Sequence, residues 1–256
     1  MECLICKSST RKIFSKVLIN KHNTDYFQCD ECGFVRATPS ETWLDEAYSS
    51  AITKTDLGLL SRNLYYTPKV EDLILRHFDT TKSYLDYAGG YGTFTRLMRD
   101  RGFDFYHEDI YCENIFAYDF KADEKKQQSY ELITAFEFME HSPDPVNALR
   151  EIFSRTESFL FSTEIIPTNN LENWWYLATE TGQHISLYSE ASLRKLAEQF
   201  GMLFYTNHRN LHLFSSKILP DNVLTRKKNI FDSLFRKKLK SLLGSDYEMV
   251  KKRLGT

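Results

Sequence analysis

Tyr84-Leu85-Asp86-Tyr87-Ala88-Gly89-Gly90-Tyr91-Gly92 is the stretch that decides the fold, because an apolar strand runs there into a glycine loop. A helix is predicted to follow over residues 93–101. The glycines of such a unit let a ligand approach the backbone, and the first helical turn offers unpaired N–H groups to an anion. Asp109 lies 17 residues beyond Gly92, at the end of the next predicted strand, where a carboxylate can accept hydrogen bonds from two ribose hydroxyls. No Lys-Ser/Thr pair follows the glycines, which disfavours a P-loop nucleotide triphosphatase.

The chain around this unit alternates between helical and strand patterns. Strands are predicted at 83–87, 104–108, 131–136, 158–163, 202–208 and 211–216, with helices at 70–78, 93–101, after Cys112, at 144–155 and at 190–200. Two further helical stretches, 41–49 and 57–65, precede them. The alternation predicts an α/β fold, a Rossmann-like doubly wound and mostly parallel sheet.

Four of the five cysteines form two pairs near the N-terminus, Cys3-x-x-Cys6 and Cys29-x-x-Cys32, with 22 residues between the pairs. Two such turns at hairpin ends supply the four sulfurs of a tetrahedral structural zinc site, and residues 11–20 and 24–28 are predicted as the strands between them. Two disulfides are the alternative, which a reducing cytoplasm disfavours. We therefore predict a small N-terminal ribbon with Zn²⁺ that is structural, since four sulfurs leave no open position for water.

Composition sets limits on the class of protein. The 256 residues include 33 Lys+Arg and 35 Asp+Glu, a formal charge of −2, and 42% of the residues are hydrophobic. Such a chain can bury a core, and the near-neutral charge makes nucleic acid an improbable general partner. The apolar runs, such as 132–136, are too short to span a bilayer, and Met1 does not begin a leader-like segment. We expect a cytoplasmic protein with no transmembrane segment.

The last stretch of the chain differs from the rest, because ten cations and seven apolar residues recur there at helical spacing between 226 and 253. This pattern predicts a C-terminal basic amphipathic helix. It either packs its apolar stripe on the domain or docks peripherally on an anionic membrane or a partner.

Two motifs resemble the class I S-adenosylmethionine-dependent methyltransferases, over about residues 68–216. Their first strand ends Asp-x-Gly-x-Gly-x-Gly, and this chain has Asp86, Ala88, Gly90 and Gly92 at those places. A methyl group at Ala88 is tolerated where the backbone angles are ordinary. The segment 130–141 resembles their fourth-strand signature, which ends in a Glu-His pair and is followed by Asp-Pro. The predicted domains are a zinc ribbon (1–38), a helical connector (39–67), a methyltransferase domain (68–218) and a basic helical tail (219–256).

The resemblance implies S-adenosyl-L-methionine as cofactor and assigns residues to it. Asp86 precedes the loop of Ala88, Gly89, Gly90 and Gly92, which faces the methionine part of the cofactor. Asp109 faces the ribose, and the chain at 118–120, with Phe120, faces the adenine. Phe136 and Glu137 border the methyl group. NAD is the rival ligand of such a loop, but the Glu-His strand end has no counterpart in dinucleotide dehydrogenases. Phe136 is alternatively a core wall, and His141 is either a base or a structural residue at a helix start.

A second aromatic segment, 174–188, follows the fifth strand and is expected over the open end of the sheet. Trp175, Tyr176, Gln183 and Tyr188 are its candidate substrate-binding residues, and His184 is the candidate general base, or else a substrate anchor. The segment is similar to one in bacterial methyltransferases of nucleotide-sugar and surface-polysaccharide synthesis, many of which carry an N-terminal cysteine ribbon.

The predicted function is methyl transfer to oxygen or nitrogen of a small sugar or nucleotide-linked acceptor in capsule or other surface-glycan biosynthesis, with Glu137, His141 and His184 as the catalytic group. Transfer to carbon is disfavoured because the sugar C-methyltransferases of this layout continue into a further C-terminal domain. The alternative is a zinc-ribbon-targeted methyltransferase or a non-catalytic binding protein that acts on RNA or protein.

Overall fold

The computed structural model describes residues 1–38, 41–47, 52–122, 129–226 and 239–254. In chain order the strands and helices are β1 (Thr10–Leu18), β2 (His22–Cys29), β3 (Val35–Ala37), α1 (Glu41–Ala47), α2 (Leu59–His77), β4 (Ser83–Tyr87), α3 (Thr93–Asp100), β5 (Asp104–Glu108), β6 (Leu132–Phe136), α4 (Pro145–Phe153), β7 (Ser158–Ser162), β8 (Ser186–Leu187), α5 (Glu190–Gln199), β9 (Leu203–Thr206), β10 (Leu211–Ser215) and α6 (Leu243–Arg253). Single helical turns occupy Met139–His141, Leu171–Asn173 and Trp175–Leu177.

The larger sheet of the described chain has six strands in the order β5-β4-β6-β7-β10-β9. The pairs β4–β5, β4–β6 and β6–β7 are parallel, and β10 is antiparallel to both of its neighbours. The predicted α/β class with a mostly parallel sheet is confirmed. Parallel strands end at one edge of a sheet, and the ends of β4, β5 and β6 therefore lie side by side, where ligands bind in open α/β sheets.

Alternate side chains of the strands enter two separate apolar cores. Leu85 and Ile133 belong to the core that includes α4 and α5, whereas Tyr84 and Leu132 belong to the core that includes α2 and α3. Both faces of the sheet are covered, which explains why its central strands are apolar throughout.

The smaller sheet has the order β1-β2-β3-β8, in which β1, β2 and β3 form the N-terminal ribbon. β8 comes from the aromatic segment of the methyltransferase-like region and pairs antiparallel with β3. Neither β3 nor β8 was predicted, because each is only two or three residues long and has no periodicity of its own.

The described residues differ from two sequence predictions about helices. The predicted helices at 57–65 and 70–78 are one helix, α2, with Pro68 inside it. Pro68 removes one backbone donor, but the buried face of Tyr66, Val70 and Ile74 holds the helix together through packing. The helix predicted after Cys112 is absent from the described residues 113–122, which contain bends, one turn and a bridge from Lys121 to His107. The N–H groups of Ile115 and Phe116 both donate to the Tyr91 carbonyl (3.0 Å each), which ties this segment to the glycine loop instead.

The C-terminal region is described only in part. The predicted basic amphipathic helix falls largely on 227–238, which lie outside the described residues. α6 follows and packs on α3 through a buried ion pair, in which Arg99 donates from Nε (2.9 Å) and Nη2 (2.7 Å) to the Asp246 carboxylate. Within the described ranges, no helix combines the length and the apolar character needed to cross a membrane.

Candidate active site

A cavity of about 1550 Å³ opens at the carboxyl ends of β4, β5 and β6. Its walls include the glycine loop, the start of α2, the end of β6 and the aromatic segment. A pocket for one drug-sized ligand measures roughly 300–1,000 Å³. The cavity therefore has room for a cofactor and a second small molecule side by side.

The glycine loop takes left-handed backbone angles at three positions, Ala88 (φ +53°), Gly90 (φ +56°) and Gly92 (φ +80°). The condition under which alanine is harmless at position 88, ordinary backbone angles, is not met, since an L-residue in the left-handed region costs about 1–2 kcal/mol relative to the right-handed region. Gly89 has no such φ, but an added Cβ would lie 2.5 Å from Asp86 Oδ2. The loop thus folds closely over the strand end and leaves its outer side open to the cavity.

Asp109 and His107 of the next strand fasten this loop. The Gly90 N–H donates to Asp109 Oδ2 (2.9 Å), and the other carboxylate oxygen accepts from the Tyr111 and Cys112 N–H groups (2.8 Å each). His107 Nε2 lies 2.8 Å from the Gly90 carbonyl, so this nitrogen is the protonated donor. Asp109 lines the cavity with its orientation fixed by three backbone donors.

Asp86 lies beneath the loop and is 1% exposed. Its carboxyl accepts hydrogen bonds from Thr95 Oγ1 (3.1 Å) and Thr134 Oγ1 (3.2 Å). Burial raises the pKa of Asp86 to about 7, and the nearby Asp109 charge adds to the effect. The residue thus supports the loop from below, joining β4, α3 and β6.

The chain predicted to face the adenine lies elsewhere. Phe120 is buried under Arg99, whose guanidinium carbon is 3.7 Å from the ring centroid, and it is not part of the cavity wall. Gly92 also lies away from the wall, where its missing side chain makes room for Asn114. The wall beside Asp109 is built instead by Ile110 and Tyr111, which follow the strand end directly.

Phe136 and Glu137 form the end of β6 in the cavity wall. The Phe136 ring stacks on Tyr66 of α2, with centroids 4.5 Å apart. Glu137 has a left-handed backbone (φ +55°) and is held by Ser162, which donates to Glu137 Oε1 (2.6 Å) and accepts from the Glu137 N–H (2.8 Å). Such strain in a non-glycine residue is typical of functional positions.

One phenol hydroxyl lies between two carboxylates behind this wall. Tyr176 Oη is 2.6 Å from Glu140 Oε1 and 3.0 Å from Glu137 Oε2, but a hydroxyl has a single proton to donate. Burial and the Glu137 charge raise the pKa of Glu140 well above its ordinary value. Burial thus favours the protonated form of the Glu140 carboxyl, which can donate to Tyr176 Oη while the phenol proton serves Glu137.

The structure brings His141 and His184 together, with ring centroids 4.8 Å apart, although 43 positions separate them in sequence. His184 Nδ1 lies 2.6 Å from the Tyr176 carbonyl oxygen, which can only accept, so this nitrogen carries the proton. Nε2 is therefore the nitrogen with a free lone pair, on a ring that lines the cavity. Burial lowers the pKa of His184 and, more strongly, that of His141, so both imidazoles are neutral at pH 7.

The four predicted substrate-binding residues have different surroundings. Trp175 is 72% exposed at the cavity wall, where it meets the edge of Tyr176. Gln183 also lines the wall, and its amide donates to the Ala47 carbonyl (2.8 Å). Tyr188 is fully buried, outside the wall, and donates to the Met139 carbonyl (2.8 Å). Tyr188 thus belongs to the core that includes α4 and α5.

The start of α2 contributes residues that sequence patterns did not reveal. Arg62 lines the cavity and forms a two-point ion pair with Asp56 (2.8 and 2.7 Å), and Tyr66 lies one turn further along the helix. No local signal distinguishes them from other polar or aromatic helix residues. Only the packing of α2 across the sheet brings them to the site.

The four paired cysteines converge as a tetrahedral zinc site requires. Cys3 Sγ lies 3.7 Å from Cys32 Sγ, and Cys6 Sγ lies 3.4 Å from Cys29 Sγ. Zinc–sulfur bonds of about 2.3 Å in a tetrahedron place the sulfurs about 3.8 Å apart. None of the five cysteines is in a disulfide. The donor set therefore fits a zinc ion, and this cluster is separate from the cavity.

The parallel sheet, the glycine loop fastened by an acidic residue of the next strand and the open cavity at the strand ends define a class I S-adenosylmethionine-dependent methyltransferase domain. The family model described as a methyltransferase domain matches residues 62–203, more than half of the chain. The chain belongs to this methyltransferase family. No curated protein matches its sequence significantly.

Several solved methyltransferases are similar to the chain at low sequence identity. An O-methyltransferase family 2 protein from Planctomyces limnophilus, in complex with apigenin, is 15% identical, with a TM-score of 0.48 over 69% of this chain and 65% of that one. Human N-acetylserotonin methyltransferase, in complex with SAM, is 13% identical, with a TM-score of 0.46 over 71% of this chain and 61% of that one. The chain thus spans slightly less than two thirds of the length of either protein.

Proposed function

We propose that this protein is a cytoplasmic enzyme that transfers the methyl group of S-adenosylmethionine to an oxygen or nitrogen atom of a small, sugar-linked acceptor in capsule or other surface-glycan synthesis. The observation that carries the proposal is the His184 ring. Its tautomer is fixed by the Tyr176 carbonyl, which leaves Nε2 free to accept a proton in a cavity that also contains the glycine loop.

The cofactor-binding residues are proposed from their place in the cavity wall. The backbone of Ala88, Gly89 and Gly90 borders the methionine part, Asp109 accepts from the ribose hydroxyls, and Phe136 and Glu137 border the methyl group. The bound cofactor supplies a methyl group on a positively charged sulfur that leaves as a neutral thioether. The protein has to orient the acceptor in line with that methyl group, exclude water and take up one proton.

His184 is the proposed proton acceptor for a hydroxyl nucleophile. His184 Nε2 would take up the hydroxyl proton that the acceptor oxygen loses when it is methylated. Glu137 favours the protonated imidazole, and the Tyr176 carbonyl keeps the ring in place through Nδ1. His141, whose pKa lies even lower, stays neutral beside it and limits the ring's rotation.

A sugar-linked acceptor is supported by the polar and aromatic groups of the wall. Trp175 offers an exposed aromatic face to the apolar side of a sugar ring, while Glu164, Glu180 and Asn210 offer hydrogen-bonding groups to hydroxyls. The resemblance of the aromatic segment to surface-polysaccharide methyltransferases points to the same class of acceptor.

A structural zinc ion in the four-cysteine cluster is part of the proposal. The sulfur spacing supports it, because distances of 3.7 and 3.4 Å between the paired sulfurs match a tetrahedral zinc site. Metal analysis should find one zinc per chain in wild-type protein and none in Cys6→Ser. Disulfides in place of metal would contradict this part of the proposal.

The acceptor class is tested with methyl-labelled cofactor and separate pools of nucleotide sugars, oligosaccharides and RNA. We expect label in a small sugar-containing product and loss of that label in His184→Asn. Label in RNA alone would overturn the acceptor class and favour the alternative of a ribbon-targeted enzyme.

A further inference from the structure

The segment that carries His184 is part of the cysteine-ribbon sheet. Two residues after His184 the chain enters β8, which pairs with β3 through Val35 opposite Leu187 and Arg36 opposite Ser186. The Ala37 N–H extends this ladder by donating to the Ile185 carbonyl (2.9 Å). The segment that carries His184 thus contributes the edge strand of the ribbon sheet. This strand pairing fixes the position of the segment relative to the cavity.

The opposite side of the same segment contacts the end of β6. The Ile185 N–H donates to the Glu140 carbonyl (2.9 Å), and Ser186 Oγ donates to the Ser142 carbonyl (2.7 Å). Residues 185 and 186 therefore lie between the ribbon and the Glu-His turn. We therefore expect that loss of either support changes the distance between His184 and His141.

The cysteine turns themselves hold the residue that ends this segment. Ser189 Oγ donates to the Cys32 carbonyl (2.5 Å) while it accepts from the Ser192 N–H (3.0 Å) as the N-cap of α5. Gly33, with φ +70°, leaves room for the Ser189 hydroxyl. Cys3, Cys29 and Cys32 are buried in the same apolar core as Leu193 and Leu196 of α5.

The ribbon also holds the start of the segment. The Ile19 N–H, at the turn after β1, donates to the Thr179 carbonyl (2.9 Å). Gly182 lies against Trp43 of α1, where an added Cβ would be 2.6 Å from the indole nitrogen. Tyr176, Leu177 and Ile185 share one buried cluster with Leu18, Tyr26 and Val35 of the ribbon.

We propose that the metal-bound cysteine ribbon positions His184, so that the metal controls acceptor turnover through β3, β8 and Ser189 without contacting the cavity. The cofactor half of the site is built by β4, α3 and β5, which share no strand pairing with the ribbon. The inference rests on the proposed function for the identity of the metal and the role of His184. A simpler view is that the ribbon stabilises only itself. The inference goes further because metal binding folds the segment that holds the metal, and in this protein the metal-holding ribbon is paired with the segment that carries His184.

The test removes zinc from the purified full chain with a chelator, restores it, and follows hydrogen exchange by mass spectrometry. Metal removal should increase exchange in residues 171–188 by about tenfold or more, with little change in residues 83–100, since local opening of one unit leaves the others protected. The dissociation constant for S-adenosylmethionine should stay within about twofold, whereas acceptor turnover should fall by about tenfold or more and recover with zinc.

Variants keep the test decisive if metal-free protein unfolds. Ser189→Ala removes the hydroxyl that joins Cys32 to α5, and it should give the same selective increase in exchange at 171–188, whereas Ser189→Thr keeps a hydroxyl and should restore protection. Glu198→Ala is the matched control, since it removes an exposed side chain from the same helix α5 and should change neither readout.

Two outcomes separate the inference from the proposed function. If zinc leaves and returns while exchange at 171–188 and acceptor turnover stay constant, the positioning role is wrong and the zinc site stands. If the protein binds no metal, the zinc proposal is wrong, and a Ser189→Ala variant with wild-type exchange at 171–188 then overturns the positioning role as well.

Discussion

Gly89→Ala should disrupt the cofactor loop by steric conflict alone. The φ of Gly89 lies outside the left-handed region, so alanine is compatible with the backbone. The new Cβ would lie 2.5 Å from Asp86 Oδ2 and 2.8 Å from His107 Cδ2, well inside van der Waals contact. Neither neighbour can yield, because Asp86 and His107 are 1% and 2% exposed and both are hydrogen-bonded.

The loss of stability follows from this confinement. One extra methyl group in a closely packed site destabilises a protein by about 1–3 kcal/mol. For a domain of this size that lowers the melting temperature by roughly 2–4 °C per kcal/mol. A shift of the loop also pulls the Gly90 N–H away from Asp109, so we expect affinity for S-adenosylmethionine to fall about tenfold or more, equivalent to about 1.4 kcal/mol.

Thermal unfolding and titration calorimetry measure the two effects. Gly244→Ala is the matched control, because nothing lies within 4 Å of its Cβ position and alanine favours the helix α6. The control should keep wild-type affinity and gain up to about 1 kcal/mol of stability. A Gly89→Ala protein with wild-type stability and wild-type affinity would refute the proposed packing of the loop on Asp86.

Three further predictions concern carboxylates and the imidazole. Asp109→Ala should weaken S-adenosylmethionine binding by about 1.5–3 kcal/mol, the scale of hydrogen bonds to a charged acceptor, and unchanged affinity in calorimetry would mean that another acid holds the ribose. The folded-state pKa of Asp86, about 7, exceeds its unfolded value, so its contribution to stability is fully present below about pH 4 and is lost as pH rises through 7. In denaturant unfolding, the free energy of unfolding of the wild-type protein should decline by at most about 4 kcal/mol as pH rises, and Asp86→Asn should lack this decline. Identical pH profiles for the two proteins would contradict the raised pKa of the buried carboxyl. His184→Ala and His184→Asn should lower turnover by about 10²–10⁴ with nearly constant cofactor affinity, and the wild-type rate should rise with pH to a plateau whose midpoint lies below the ordinary histidine pKa. A raised Michaelis constant with normal turnover would make the residue a substrate anchor.

The sequence predicted the central sheet well because each of its elements carries a strong local signal. The strand and loop at 84–92, the buried strand at 132–136 and the helix α5 are recognisable from periodicity and glycine spacing. The four-cysteine cluster was predictable for the same reason, since its spacing encodes the geometry.

The contacts between distant segments could not be predicted. The approach of His184 to His141 depends on the pairing of β8 with β3, two strands too short to leave a pattern. Arg62 reaches the cavity only because α2 continues through Pro68. The place of Phe120 outside the cavity wall is set by its packing against Arg99 of α3, which no local pattern reveals.

The most direct test of the central claim is an equilibrium titration of the purified protein with S-adenosylmethionine, S-adenosylhomocysteine and NAD. We predict that the two sulfur-containing ligands bind at one site per chain and compete with each other, and that NAD does not displace them. Binding of NAD at the site without binding of S-adenosylmethionine would contradict the account.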